Sequence, residues 1–222
     1  MDEYKQEPEQ LEALDAGEEI REDVPEVVER IPGREAYEWV RSMVAAVLII
    51  VLLFSFVIRM MGVQGPSMIP TLQEGDRLLV LSSLLCGEYQ QGDIVIARKA
   101  KSFTAEPIVK RIIAVGGQTV DIDFDTGAVY VDGQELHEDY INDLTYMEEG
   151  TQFPLTVGEG EVFLLGDNRN HSTDSREPSL GAVDTRYLIG KAVLLVFPGP
   201  DSITDVRDYS RIGFLNGGHH AA

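Results

Sequence analysis

Hydrophobic and polar positions along this chain fall into distinct regimes. From Met43 to Ile58 the run MVAAVLIIVLLFSFVI carries no charge for 16 residues, with Arg41 and Arg59 on either side. Sixteen helical residues rise about 24 Å, and Trp39, Val40, Met60 and Met61 lengthen the apolar stretch toward the thickness of a hydrocarbon core. Helices in soluble cores usually keep a polar face, whereas this run has only Ser55 as a polar break. The pattern predicts a single membrane-spanning helix over residues 37–61. The run starts too late for a cleaved secretory signal and lacks the short basic leader of one.

Beyond residue 62 the period changes from helical to two-residue alternation. Arg77–Leu81, Asp93–Ala97, Ile108–Val115, Thr119–Phe124, Ala128–Val131, Glu161–Leu165 and Gly190–Phe197 read as strands. Asp125-Thr126-Gly127 and Asp132-Gly133 mark successive hairpin turns. No long amphipathic helix pattern interrupts them. A mainly β domain is therefore expected over residues 62–198, with an irregular loop around 166–187 and a weakly ordered tail over 199–222.

Charge changes this picture at the N-terminus. Residues 1–36 hold 13 Asp or Glu against four Lys or Arg, a net of −9, in a chain whose formal net charge is −20. So polar a segment buries too little apolar surface to offset the entropy of ordering it, and residues 1–36 are expected to form a disordered tail. The acidic balance also excludes nucleic acid as a partner, since a phosphate backbone demands a basic stripe. The single cysteine, Cys86, forms no intrachain disulfide and no CxxC zinc site, and the terminal GGHHAA offers too few ligands for a metal. Arg30, Arg34 and Arg41 precede the uncharged run, while after Arg59 no positive charge follows until Arg77. The positive-inside bias then keeps the N-terminus cytoplasmic and puts the β domain on the far side of the membrane.

Two short stretches carry candidate chemistry. In GVQGPSMIPT, Pro66 and Pro70 stiffen the chain around Ser67 and prevent the helix from continuing. A serine there is either a turn residue or a displayed nucleophile. In PIVKRIIAVGG, strand alternation sets Lys110 and Arg111 on opposite faces, so one cation lies among apolar neighbours whichever face is buried. A buried Lys110 would lose its proton more easily and become a usable base near neutral pH, whereas a lysine on an edge strand would guard against aggregation. Sequence pattern alone leaves both alternatives open.

Taken in order, SMIPT at 67–71, GDRLLV at 75–80, GDIVIA at 92–97, KRIIAVGG at 110–117 and GDNRNHSTDSR at 166–176 resemble the signature boxes of the bacterial type I signal peptidases, the leader peptidase family. The likeness covers most of residues 40–198 and is nearest to the compact Gram-positive members. It implies a compact antiparallel β-sheet domain of the signal peptidase type behind its single transmembrane helix. It implies Ser67 as nucleophile and Lys110 as general base, with Ser172 orienting the lysine amine and Asp174 and Arg176 forming a stiffening ion pair. It places Met68 on the substrate groove and gives Arg111 a structural role. One branch of the family has a serine two residues before the nucleophile that completes the oxyanion hole. Here that position is Gly65, so the Gly65 amide or a water would have to replace the hydroxyl.

The resemblance implies cleavage of exported preproteins after a small-x-small, Ala-x-Ala-like site through an acyl-enzyme, with no cofactor and no metal. Seven residues separate Arg59 from Ser67, a reach of roughly 25 Å at most, which keeps the nucleophile near the lipid surface where a signal sequence emerges. The alternatives are a self-cleaving repressor of the SOS type, which would carry a DNA-binding domain, and a non-catalytic tethered β-domain that binds exported segments. His171 as base is a weaker option, because it adjoins Ser172 in an exposed-looking loop.

Overall fold

The computed structural model describes residues 33–98, 106–201 and 204–215. The expected disordered tail, apart from its last four residues, and the GGHHAA terminus lie outside the described residues. The chain divides into two compact units, Met1–Val44 and Ala45–Ala222. Helix α1 (Arg34–Leu52) begins in the first unit, ends in the second and runs on into a π-helical turn, Leu53–Val57. These 24 residues form the one helix among the described residues that is long and apolar enough to cross a membrane, and none of its apolar window is buried.

The helix ends earlier than its hydropathy suggests. Ile58 is already extended, with φ −125° and ψ 135°, and opens strand β1 (Ile58–Gly62). This strand pairs antiparallel with β2 (Arg77–Ser82), setting Arg59 opposite Val80 and Met61 opposite Leu78. Ile58 to Met61, expected as the last turn of the helix, are strand because a neighbouring strand supplies the backbone partners that another helical turn would have supplied.

The remaining strands are β3 (Ile94–Ala97), β4 (Ile108–Val115), β5 (Thr119–Asp123), β6 (Ala128–Val131), β7 (Gln134–Glu135), β8 (Leu155–Thr156), β9 (Glu161–Leu165), β10 (Val183–Asp184), β11 (Leu188–Phe197) and β12 (Gly213–Phe214). They form an eight-stranded sheet in the order β1-β2-β11-β3-β4-β9-β10, with β12 added to β11, and a four-stranded sheet in the order β7-β6-β5-β8. Every pairing is antiparallel. The fold is mainly β.

Both faces of the large sheet are covered at β3 and β4. Ile94 and Ile96 of β3 join Leu78, Val80, Leu72 and Met68 in one cluster, while Val95 and Ala97 join Ile112, Leu164 and Leu188 in another. A third cluster packs Val120, Ile122, Val129 and Val131 of the small sheet against Ile113, Phe163 and Leu165 of the large one.

The segment following β11 is more structured than its sequence suggests. Arg211 pairs at 2.7 Å with Asp76, a fully buried carboxylate that also accepts from the Gly199 amide. Gly213 lies opposite Leu195, and the Tyr209 ring meets Phe197 edge-on at 5.9 Å. Over residues 204–215 the expected weakly ordered tail is a largely exposed segment fastened to the sheet at these points, where the buried Asp76 charge needs a cation and Arg211 supplies it.

Candidate active site

Ser67 lies in a turn between β1 and β2, half-buried. Gly65 enters this turn at φ +76°, a left-handed conformation that side chains other than glycine rarely adopt, and the space where a Cβ would point is open. The Ile69 amide donates to the Pro66 carbonyl at 3.1 Å and the Leu72 amide to the Met68 carbonyl at 2.8 Å, closing the turn. From across the fold, the Asn168 backbone N–H donates to the Ser67 carbonyl at 3.0 Å and its side-chain amide to the Pro66 carbonyl at 3.1 Å. The Ser67 N–H makes no hydrogen bond among the described residues.

Lys110 stands on β4 opposite Val95 of β3. Since β4 lies between β3 and β9, its lysine is no edge-strand guard. Lys110 is 3% exposed, and its Nζ lies 2.6 Å from Ser67 Oγ. Burial disfavours the ammonium and brings the lysine down to about 8, while the Asp174, Asp167 and Glu149 carboxylates oppose that shift. An amine titrating there is partly neutral at ordinary pH and able to accept a hydroxyl proton. Arg111 is buried as well, so the two neighbouring cations of β4 both leave solvent, each on its own side. Arg111 is held by Asp167 at 2.8 and 2.7 Å and lies 3.9 Å over the Tyr140 ring.

The segment after β9 packs against this dyad. Gly166 has no room for a side chain, since a Cβ there would collide with Ser172 Oγ and the Ser67 carbonyl oxygen. Asp174 and Arg176 form a fully buried ion pair at 2.8 Å, and the other Asp174 oxygen accepts from the Gly166 amide at 3.0 Å. Arg176 also donates to the carbonyls of Arg169, Ser172 and Met147, and so ties the segment to the strap that precedes β8.

Two expectations differ from the arrangement found. Ser172 Oγ is buried without a hydrogen-bond partner among the described residues, so it makes no bond to the lysine amine here; it sits against Gly166. Met68 is 1% exposed and packs with Leu72, Leu78 and Val80, so it supports the turn from within the core and presents almost no groove surface. His171 lies in a 3-10 turn, Arg169–His171, and is exposed.

Sequence reasoning passed over several buried polar residues around the dyad. Asp167, Asn168 and Arg169 all belong to the 166–176 stretch, yet pattern gave them no role. Asp167 holds Arg111 and accepts from Thr71 Oγ1, and Arg169 binds Glu138, Thr145 Oγ1 and the Gly166 carbonyl. Glu138 carries no local signal at all; its 31-residue separation from Arg169 is bridged only in the fold. Among the described residues no group of three or more His, Cys, Asp or Glu side chains is placed to hold a metal ion.

The family model of the signal peptidases, peptidase S26, matches residues 36–197. The chain belongs to that family. Among its curated relatives, signal peptidase I of Bacillus licheniformis is 35% identical over 170 residues, covering 73% of this chain and 89% of the relative. Signal peptidase I T of Bacillus subtilis is 35% identical, covering 72% and 85%. Signal peptidase I of Mycobacterium tuberculosis is 34% identical, covering 70% of each chain. A solved signal peptidase I from Enterococcus faecalis is 32% identical and aligns over 47% of this chain and 96% of that one, with a TM-score of 0.39. As a signal peptidase, this chain is a serine endopeptidase that removes signal peptides from preproteins.

Proposed function

We propose that Ser67 and Lys110 are the catalytic dyad and that the enzyme cuts exported preproteins after a small-x-small site. The 2.6 Å contact between Ser67 Oγ and the buried Lys110 Nζ carries this reading. Neutral Lys110 takes the hydroxyl proton as Oγ attacks the scissile carbonyl carbon, giving a tetrahedral oxyanion. The Lys110 ammonium then protonates the departing amine, the peptide C–N bond breaks, and the signal peptide remains as an ester on Ser67. Water, losing a proton to Lys110, attacks that ester; the proton returns to Oγ and the signal peptide leaves with a free carboxylate. The unengaged Ser67 N–H is the first oxyanion donor, and the Gly65 amide or a water the second. The Asp174–Arg176 pair stiffens the segment packed behind the dyad.

The apolar helix anchors the enzyme in the cell membrane as a single pass, with its N-terminus cytoplasmic and the β domain outside. Its arginine distribution supports that orientation, and the net charge of −20 is unsuited to nucleic acid. Anchoring raises the concentration of the nucleophile at the depth where signal sequences leave the bilayer. The test is cleavage of an Ala-x-Ala preprotein in detergent by Ser67→Ala and Lys110→Ala. Each substitution is expected to abolish cleavage, and full activity in either would overturn the assignment.

A further inference from the structure

The geometry points to Asn168 as the residue that aims the oxyanion donor, by fixing the plane of the Pro66–Ser67 peptide. The inference rests on Ser67 being the nucleophile. A trans peptide is planar, so its carbonyl oxygen and its N–H point in opposite directions. The Pro66–Ser67 bond is not among the cis bonds of the chain. Its carbonyl accepts from the Asn168 side-chain amide at 3.1 Å. Tying the oxygen to Asn168 turns the Ser67 N–H to the opposite side, where it is left without a partner among the described residues. A donor meant for a transient oxyanion needs this condition: oriented beforehand and not already engaged.

The plane has one support within the turn, the Ile69 N–H, which donates to the same Pro66 carbonyl at 3.1 Å, and Asn168 adds a second from across the fold. The Pro66 ring fixes φ ahead of this peptide, which leaves rotation about the Pro66 Cα–C and Ser67 N–Cα bonds for the two hydrogen bonds to the Pro66 carbonyl to restrain. Asn168 is a rigid anchor outside the turn. It is 6% exposed, and its own N–H is spent on the Ser67 carbonyl at 3.0 Å, so backbone and side chain of one residue grip two successive carbonyls of the turn. Its neighbours are locked on both sides, Asp167 by Arg111 and Arg169 by Glu138. Asn168 Oδ1 is buried with no partner among the described residues. The side chain therefore tolerates an unsatisfied oxygen and is held by the one bond its amide makes, a bond that no acceptor-only group could replace.

Asn168 touches neither the scissile carbonyl nor the dyad atoms in this arrangement, and so acts as a positioning residue. The experiment uses the full chain in detergent, well below its unfolding temperature. For Asn168→Ala and Asn168→Asp it measures kcat and KM on an Ala-x-Ala preprotein, together with affinity for a peptide boronate that mimics the tetrahedral state. The expected result for Asn168→Ala is a fall in kcat on the order of 10²-fold with KM within about threefold, a matching loss of boronate affinity, and an unmoved acid limb of the pH profile. Asn168→Asp, similar in shape but with an acceptor facing the Pro66 carbonyl, is expected to lose at least as much. Unchanged kcat and boronate affinity in Asn168→Ala, or a rise in KM alone, would overturn the inference. An acid limb displaced together with the loss would overturn it too, since that would place the effect on Lys110. Retained cleavage by Ser67→Ala would instead remove the nucleophile assignment beneath it, so the two failures are distinguishable.

Discussion

Strands β5 and β6 of the small sheet bury alternate residues, whereas β3 is buried throughout and β4 over five successive positions. In the small sheet the buried side chains are Val120, Ile122, Val129 and Val131. Lys110 and Arg111 are buried in β4, and Asp167, Asn168, Arg169, Asp174 and Arg176 in the segment that packs beside it. Strand sequences in the small sheet follow the rule of one dry face and one wet face. At β3 and β4 of the large sheet both faces are dry, and there Arg111 is held by Asp167, whereas Lys110 has, among the described residues, only the Ser67 hydroxyl in contact with its amine. The difference separates a region built for stability from one where stability is given up to hold charges in place.

The largest expected effect concerns Asp167, whose carboxylate holds the 2%-exposed Arg111. Asp167→Ala strands a buried guanidinium and is expected to cost about 3–5 kcal/mol, read as a lower denaturant midpoint with an unchanged m-value. A cost below about 1 kcal/mol would show that the pair is not the strut described here.

Lys110→Met has the opposite sign. The folded protein brings this amine down from 10.5 to about 8, so between those values the unfolded chain binds more protons and stability rises with pH. The destabilisation caused by the lysine is thus complete below pH 8 and gone above 10.5. Replacing it should raise stability at pH 7 by about 3 kcal/mol, with the advantage shrinking between pH 8 and 10.5. An inactive variant no more stable than the parent at pH 7 would contradict the cost assigned to the buried amine.

The smallest effect belongs to the small sheet. Val129→Ala, at a 1%-exposed position, should lower stability by about 2 kcal/mol through lost contact and a small cavity, with kcat/KM unaltered at low temperature. A large loss of activity there would erase the division between the two regions.

The same contrast explains what the sequence made legible. Alternation exposed β2, β5 and β6, and the turn residues at 125–127 and 132–133 fell between paired strands. β1 escaped because its Ile-Arg-Met-Met continues an apolar run, and hydropathy does not distinguish the last turn of a helix from an edge strand. β12 escaped because two residues have no period. Ser67 and Lys110 stood out as types out of place in their local pattern. Asp167, Asn168 and Glu138 did not, since a buried polar residue is recognisable only by its partner, and theirs lie 56, 102 and 31 residues away. The orientation of Ser172 Oγ and the burial of Met68 depend on packing against Gly166 and Leu72, which box order does not encode.

The central claim is that a dry, readily neutralised lysine draws the proton from Ser67. The pH dependence of kcat/KM for preprotein cleavage tests it most directly, because that profile reports the free enzyme's base. Activity should rise with pH along a single-proton limb whose midpoint lies near 8, as the Lys110 ammonium gives up its proton. A limb centred near the ordinary lysine value, or no acid limb at all, would contradict the account.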